Sequence, residues 1–399
     1  MVKLINVFRM KTFKWFFLIL VAGILVSCQK SSEEELVGDW QYRAYFQGYP
    51  RAHAASFVIG DIGYVIGGSW GTRALYRDVW AFNHTGGGID KRTGLTTGTW
   101  DELKSLPEGV VARQQAVGFS LNGYGYMGTG LSYDADAEEV FRKDFWRYDP
   151  QKDEWEEVAP LPANAKGRRA AIAFSLKTGN TEYGYVGFGY DGEFGDNYLA
   201  DFWQFDPDPN IRDDQGRMGK WTPISGYGGP KRGGATVFVV NNRAYISTGR
   251  DTQGTGKCVD FWMFDPNLAE ADRWTVLRKT NNANPDEDYD DDYGTIQRAY
   301  GVGYVAMVGS ELRGHIVGGN TNGSINWEYN HNEDLWTQRT KFINNAGKTS
   351  PREGMISFSF PETGRGYVGL GRSSGTTSTT YDDMWEFIPL VDDYIYDDL

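Results

Sequence analysis

Six arginines recur through the chain, each followed six positions later by an aromatic residue: Arg51 by Phe57, Arg113 by Phe119, Arg168 by Phe174, Arg232 by Phe238, Arg298 by Tyr304 and Arg352 by Phe358. A guanidinium is a planar fork of donors that matches a carboxylate or another flat anion. Six of them at one spacing are the most regular candidate for ligand chemistry. A second candidate set is aromatic. Trp70, Tyr76, Tyr133 and Tyr190 fall in segments of polar and glycine residues, where an exposed ring suits the face of a sugar. An acid also recurs, as Asp-x-Trp-x-Phe/Tyr at 78–82, 144–148, 201–205, 260–264 and 383–387. A further copy at 325–329 keeps Trp327 and Tyr329 but has Ile325 in place of the Asp. The repeated Asp is the expected partner of the Arg across a sheet. That pairing leaves Arg298 over, as the guanidinium expected to help bind an external anion.

Other chemistry is sparse. Four His and two Cys leave little for a His-built metal centre and exclude a Cys-rich zinc module or a disulfide scaffold. Asp288, Asp290 and Asp292 alternate ahead of Gly294. They match a calcium loop in part, without its later bidentate acid in register. No firm metal site and no cofactor is therefore expected, with calcium the one ion to consider. A net charge of −13 argues against nucleic acid, because phosphate binding needs a basic face. The chain holds 51 Gly, 14 Trp, 24 Tyr and 22 Phe in 399 residues, a composition of short strands and tight turns around a large core.

The strands that carry these residues follow from the repeats. In Asp-x-Trp-x-Phe/Tyr the two aromatics alternate, so they share one face of a strand. Segments ending in small residues and glycine, at 64–68, 126–130, 185–189, 245–249, 315–319 and 367–371, read as a strand running into a tight reversal. A lone Trp follows five of the units, as Trp100, Trp155, Trp221, Trp274 and Trp336, while Trp40 stands upstream of the first arginine. Each unit thus reads as four strands, and the N-terminus supplies the fourth strand of the last. Four-strand units in a ring are propeller blades. Over 38–390 the Gly-Gly ends and paired tryptophans resemble kelch repeats. That resemblance implies an all-β, six-bladed kelch-type β-propeller, with four antiparallel strands per blade and a ring closed by an N-terminal strand. Copper-radical galactose oxidases share the kelch fold with seven blades, and their site needs two His, two Tyr and a Tyr-linked Cys. Here no two His fall near Cys258, the one thiol outside the leader, so that activity is rejected. Cys258 is expected to be inert and half-buried, and His315, at a position held by Tyr in the other repeats, to be a core substitution. His53 falls near the arginine end of a first strand; His84 and His331 fall on the opposite face.

The N-terminus sets an address. Lys3, Arg9, Lys11 and Lys14 precede an apolar run at 15–26 that is too short to span a bilayer. Leu25-Val26-Ser27-Cys28 resembles a bacterial lipobox, which implies a signal peptide at 1–27 and lipidation of Cys28; Met10 is an alternative start. Residues 28–37 form an acidic tether that resembles the export signal of Bacteroidetes-type surface lipoproteins, and 391–399 form an acidic tail. The expected location is the outer membrane, lipid-anchored through Cys28 and facing outward.

In a four-stranded blade, the loops before strand one and between strands two and three share a face, here called the top. It collects the arginines and the loop aromatics. The expected function is a binding module that holds a glycan or a protein partner there. Two alternatives are kept. Six-bladed kelch proteins of bacteria include sialic-acid mutarotases, for which the arginine ring with Glu193 or Glu287 would supply carboxylate binding and acid–base groups. An accessory subunit of an outer-membrane complex would instead use the insert at 83–99 as its contact edge.

Overall fold

Alternating aromatic and small residues build six four-stranded antiparallel sheets, five of them paired in chain order from inner to outer strand. A computed structural model of the chain describes residues 36–91, 93–192, 197–251, 257–281, 291–342, 351–373 and 379–390. Cys28, Glu193, Glu287, Asp288 and Asp290, and the segments 1–27 and 391–399, lie outside them. Blade one comprises Ala55–Ile59, Ile62–Ile66, Val79–Asn83 and Thr99–Leu103. Blades two to five begin at Val117–Leu121, Ile172–Thr178, Thr236–Val240 and Gly301–Val308. Blade six takes three strands from the C-terminal part, Ile356–Phe360, Arg365–Gly369 and Met384–Ile388, and its outer strand from Asp39–Tyr42. Trp40 lies opposite Phe387 in that pairing, so the two ends of the chain close the last blade. The six inner strands touch in sequence and the sixth touches the first, which makes the ring complete.

The repeated aromatics fill the blades. The outer-strand Trp packs on the Phe or Tyr of the third strand in all six, with ring centroids 4.7–5.0 Å apart. The inner-strand Phe lies on the second-strand Tyr in four blades. Neighbouring blades meet through glycine: a Cβ on Gly125 would run into the ring of Phe57, and one on Gly314 into Phe238. These glycines are kept for close approach between sheets.

His315 is buried in the place of the second-strand Tyr and stacks on Tyr304 at 4.8 Å, as the core substitution expected of it. Neither ring nitrogen has a partner. Burial pushes the imidazole down to about 4, against an upward pull from Glu328. The unfolded chain takes up this proton near pH 6.5 and the folded chain only near 4, so acidification through that window removes stability, on the order of 3 kcal/mol from this group. His315→Tyr removes that share. Denaturant midpoints at pH 7 and pH 4.5 should lie closer together in the variant than in the parent; an unchanged difference would refute the assignment.

The insert at 83–99 is not a free edge. His84 is buried and stacks on Phe360 of blade six at 3.9 Å. Arg365 donates to the His84 and Thr96 carbonyls, and Arg43 reaches Asp90 at 2.9 Å. The segment clasps blade one to blade six across the seam where the chain ends meet. The inner side of the insert is thus committed to blade six, while the Ile89 side chain faces solvent.

Candidate functional site

The top face is built on the six arginines. Each is 0–2% exposed, and each donates through Nη1 to a carbonyl where the second strand ends: Gly67, Thr129, Phe188, Thr248, Gly318 and Leu370. Four hold an Asp with both guanidinium nitrogens: Arg51 with Asp78, Arg113 with Asp144, Arg168 with Asp201 and Arg352 with Asp383. Arg232 binds Asp260 through one oxygen and also the Tyr227 hydroxyl. The same carboxylates accept the indole N–H of the Trp two residues on, at 2.5–3.0 Å. This explains the Asp-x-Trp spacing: one acid satisfies two buried donors from different strands. Burial alone would raise the carboxyls of Asp144 and Asp201, but the arginine hydrogen bonds and charge outweigh it and hold both below the usual range.

Blade five solves the same problem without an acid. Arg298 donates to the carbonyls of Ile296, Gly318, Ile325 and Thr295 at 2.9–3.2 Å, and Trp327 turns to the Thr295 hydroxyl. Burial pushes this guanidinium down to about 9, still charged at neutral pH. The expectation that Arg298 awaits an external anion is overturned, because the backbone occupies it. The ring as a whole is corrected likewise: Arg51, Arg113, Arg168, Arg232, Arg298 and Arg352 hold the framework and present no free fork to a ligand.

Beside each arginine the blades are joined around the axis. The residue two past it donates its N–H to the carbonyl of its counterpart in the preceding blade. The circle runs through Gln115 to His53, Ala170 to Gln115, Gly234 to Ala170, Tyr300 to Gly234, Gly354 to Tyr300 and His53 to Gly354, at 2.8–3.1 Å. All six sit in the left-handed region, with φ of 53–64°. Glycine adopts that backbone without steric cost, and blades four and six have it. His53, Gln115, Ala170 and Tyr300 hold it against the preference of L residues.

The His53, Gln115 and Tyr300 side chains stand at the mouth of the ring. His53 lies across Gly354 and Tyr300 across Gly234, where a Cβ would meet each ring. The two rings face each other edge-on at 6.0 Å. Burial, then the charges of Arg372 and Arg169, push His53 down to about 3, so it is neutral at physiological pH. Arg169, Arg250 and Glu353 lie near enough to Tyr300 to bias its ionisation. Arg372 pairs with Glu353 at 2.8 Å. Arg169 stacks over Tyr190, 4.9 Å from its centroid, which gives that predicted tyrosine its place. Sequence reasoning missed Arg169, Arg250 and Arg372, because they follow the repeated residues rather than belonging to them. The available signal was the position two past each arginine, where small residues alternate with His, Gln and Tyr.

The other predicted aromatics lie further out. Tyr76 covers Arg51 at 4.5 Å and stacks on Tyr49. Trp70 is 61% exposed on a short hairpin in which it pairs with Ala74. That hairpin is tied to blade two: Ser69 Oγ donates to Gln114 Oε1, while Gln114 Nε2 and the Tyr133 hydroxyl both donate to the Thr72 carbonyl, at 2.9–3.0 Å. Cys258 is more buried than expected, and burial pushes its thiol up to about 12. Asp292 is exposed at the start of the turn Asp291–Ile296. Among the described residues no three His, Cys, Asp or Glu gather to hold a metal ion. The fold is that of a six-bladed β-propeller. No protein-family model and no curated protein matches the chain.

Proposed function

We propose that the protein is a surface-anchored binding module of kelch type that holds a glycan or a protein partner on its top face. The observation that carries this reading is the fixed presentation of Trp70. Four blade-two and hairpin hydrogen bonds and pairings hold its loop, yet the indole itself is left in solvent. An indole on a rigid, pre-ordered loop offers contact area at little cost in conformational entropy. The anchor rests on the sequence alone: the basic start, the apolar run and Leu25-Val26-Ser27-Cys28.

Trp70→Ala should leave stability within about 0.5 kcal/mol, since the ring packs on nothing that needs it. It should weaken capture of the bound glycan or partner by about tenfold or more, as loss of a rigid aromatic anchor does. Denaturant unfolding reads the stability, and calorimetric titration against neutral and acidic oligosaccharides, with the parent and variant side by side, reads the binding. Parent-like binding by the variant would refute the reading. Cys28→Ala should abolish labelling by a fatty-acid analogue in cells and release the protein from the membrane fraction; persistent labelling would remove the anchor.

A further inference from the structure

We infer that the mouth of the ring is a second, small-molecule site that takes an organic carboxylate, either free or as the acidic end of a glycan; this deepens the top-face reading and rests on it. Three observations converge on it. The first is charge. Arg372 and Arg169 act on His53, and Arg169 and Arg250 on Tyr300, against Glu353, which Arg372 already engages. Among the described residues neither Arg169 nor Arg250 has a carboxylate partner. A local excess of positive charge in a chain of net −13 draws anions to that one place.

The second observation is an unmet valence. His53 is 6% exposed and its Nε2 has no partner, and the Oε1 of neighbouring Gln115 also lacks one. A buried polar atom without a partner is costly and calls for a ligand or water. The third is strain without structural need. The backbone belt at this level is complete in blades four and six with glycine, so nothing in the ring requires His, Gln or Tyr at φ above 50°. Ala170 holds the same backbone with a bare methyl, so what sets His53, Gln115 and Tyr300 apart is that their strained positions also carry polar or aromatic groups.

The chemistry fits a carboxylate. Arg169 has its guanidinium carbon 4.9 Å from the Tyr190 centroid, and its N–H groups are of the kind that make a two-point contact with a planar anion. His53 and Gln115 add neutral groups able to bind hydroxyls beside that carboxylate, and Tyr300 offers a ring against a sugar face. Gly354 and Gly234 let the His53 and Tyr300 rings lie across the belt, which sets both rings at the mouth.

Titrate the full chain with D-glucuronate, with a glucuronate-capped disaccharide, with the neutral glucuronate methyl ester and glucose, and with inorganic phosphate. Saturable binding of the acids and none of the neutral compounds is expected. The disaccharide binding more tightly than the free acid would assign a glycan end, and the reverse a free metabolite. Arg169→Gln should weaken acid binding about tenfold or more, as loss of a charge-assisted pair does, while Arg212→Gln, in an exposed turn of blade three, should not. His53→Gly separates this from a structural role: melting temperature should hold or rise, since glycine suits that backbone, while binding weakens. No saturation by either acid, preference for phosphate, or parent-like binding in Arg169→Gln would overturn the proposal. If the acids fail here but Trp70→Ala still abolishes capture on the outer loops, the binding-module reading stands and only the mouth site falls.

Discussion

Asp383→Ala should destabilise the ring by about 3–5 kcal/mol, the size expected when one partner of a buried ion pair is removed. The side chain of Asp383 is 4% exposed and that of Arg352 1%. The carboxylate accepts from both guanidinium nitrogens and from the Trp385 indole. Its loss strands a charge and an indole N–H together, with the ring of Tyr381 over the guanidinium at 3.6 Å. Solvent reaches little of such a site, so most of the desolvation penalty is felt. The double variant Arg352→Met/Asp383→Ala should recover much of the loss, because removing both charges removes the stranded one. Denaturant unfolding of the three chains measures this; a loss below about 1 kcal/mol in Asp383→Ala would refute the account. The same change at Asp201, whose side chain is 37% exposed, should cost less, since solvent reaches the vacated site.

Blade five shows what a durable replacement requires. Ile325 alone would have stranded Arg298, but the turn Asp291–Ile296 brings the Thr295 carbonyl and hydroxyl into the space the acid would fill. Asp383→Ile therefore does not imitate blade five. It removes the acid without supplying a turn of that shape, and should destabilise like Asp383→Ala. The acid is dispensable only where the backbone before the arginine has been rebuilt.

What the sequence discloses follows from repetition. Arginines, Asp-x-Trp strands and glycine ends recur six times or nearly so, and anything that recurs in a ring is bonded in the same way each time. For that reason the blades, the N-terminal closing strand and the five Arg–Asp pairs could be read in advance. The sequence shows a donor but not how many carbonyls will turn toward it, which is why the arginines looked like ligand groups and Arg298 looked spare. The mouth was hidden for the opposite reason. His53, Gln115 and Tyr300 share no side-chain type, and their common feature is a left-handed backbone that becomes visible only when the blades are aligned in space. The insert at 83–99 has no counterpart to align with, so its role as a clasp depended on finding Phe360 and Arg365 beneath it.

Trp40→Ala should be among the most damaging single changes in the protein, with a loss of about 3–5 kcal/mol. Trp40 is 5% exposed and its indole donates to the Thr340 carbonyl at 3.0 Å. It packs against Phe387 of its own blade, and against Tyr304 and Phe342 from the blade-five side, at 4.9–6.1 Å. Trp100 occupies the same place in blade one, but its strand is joined to its neighbour by chain. The strand Asp39–Tyr42 is held to Met384–Ile388 by pairing and packing alone, with Arg43 beyond it gripping Glu386 and Asp90. Weakening it lets one blade open while five remain closed, a sub-global unfolding that the other blades cannot undergo so cheaply. Native-state hydrogen exchange should therefore show protection falling first in Arg365–Gly369 and Met384–Ile388 in Trp40→Ala, whereas Trp100→Ala should leave those strands protected until the whole ring unfolds. Uniform loss of protection in both variants would mean that the seam is no weaker than the rest, and that the clasp at 83–99 carries the closure without the strand.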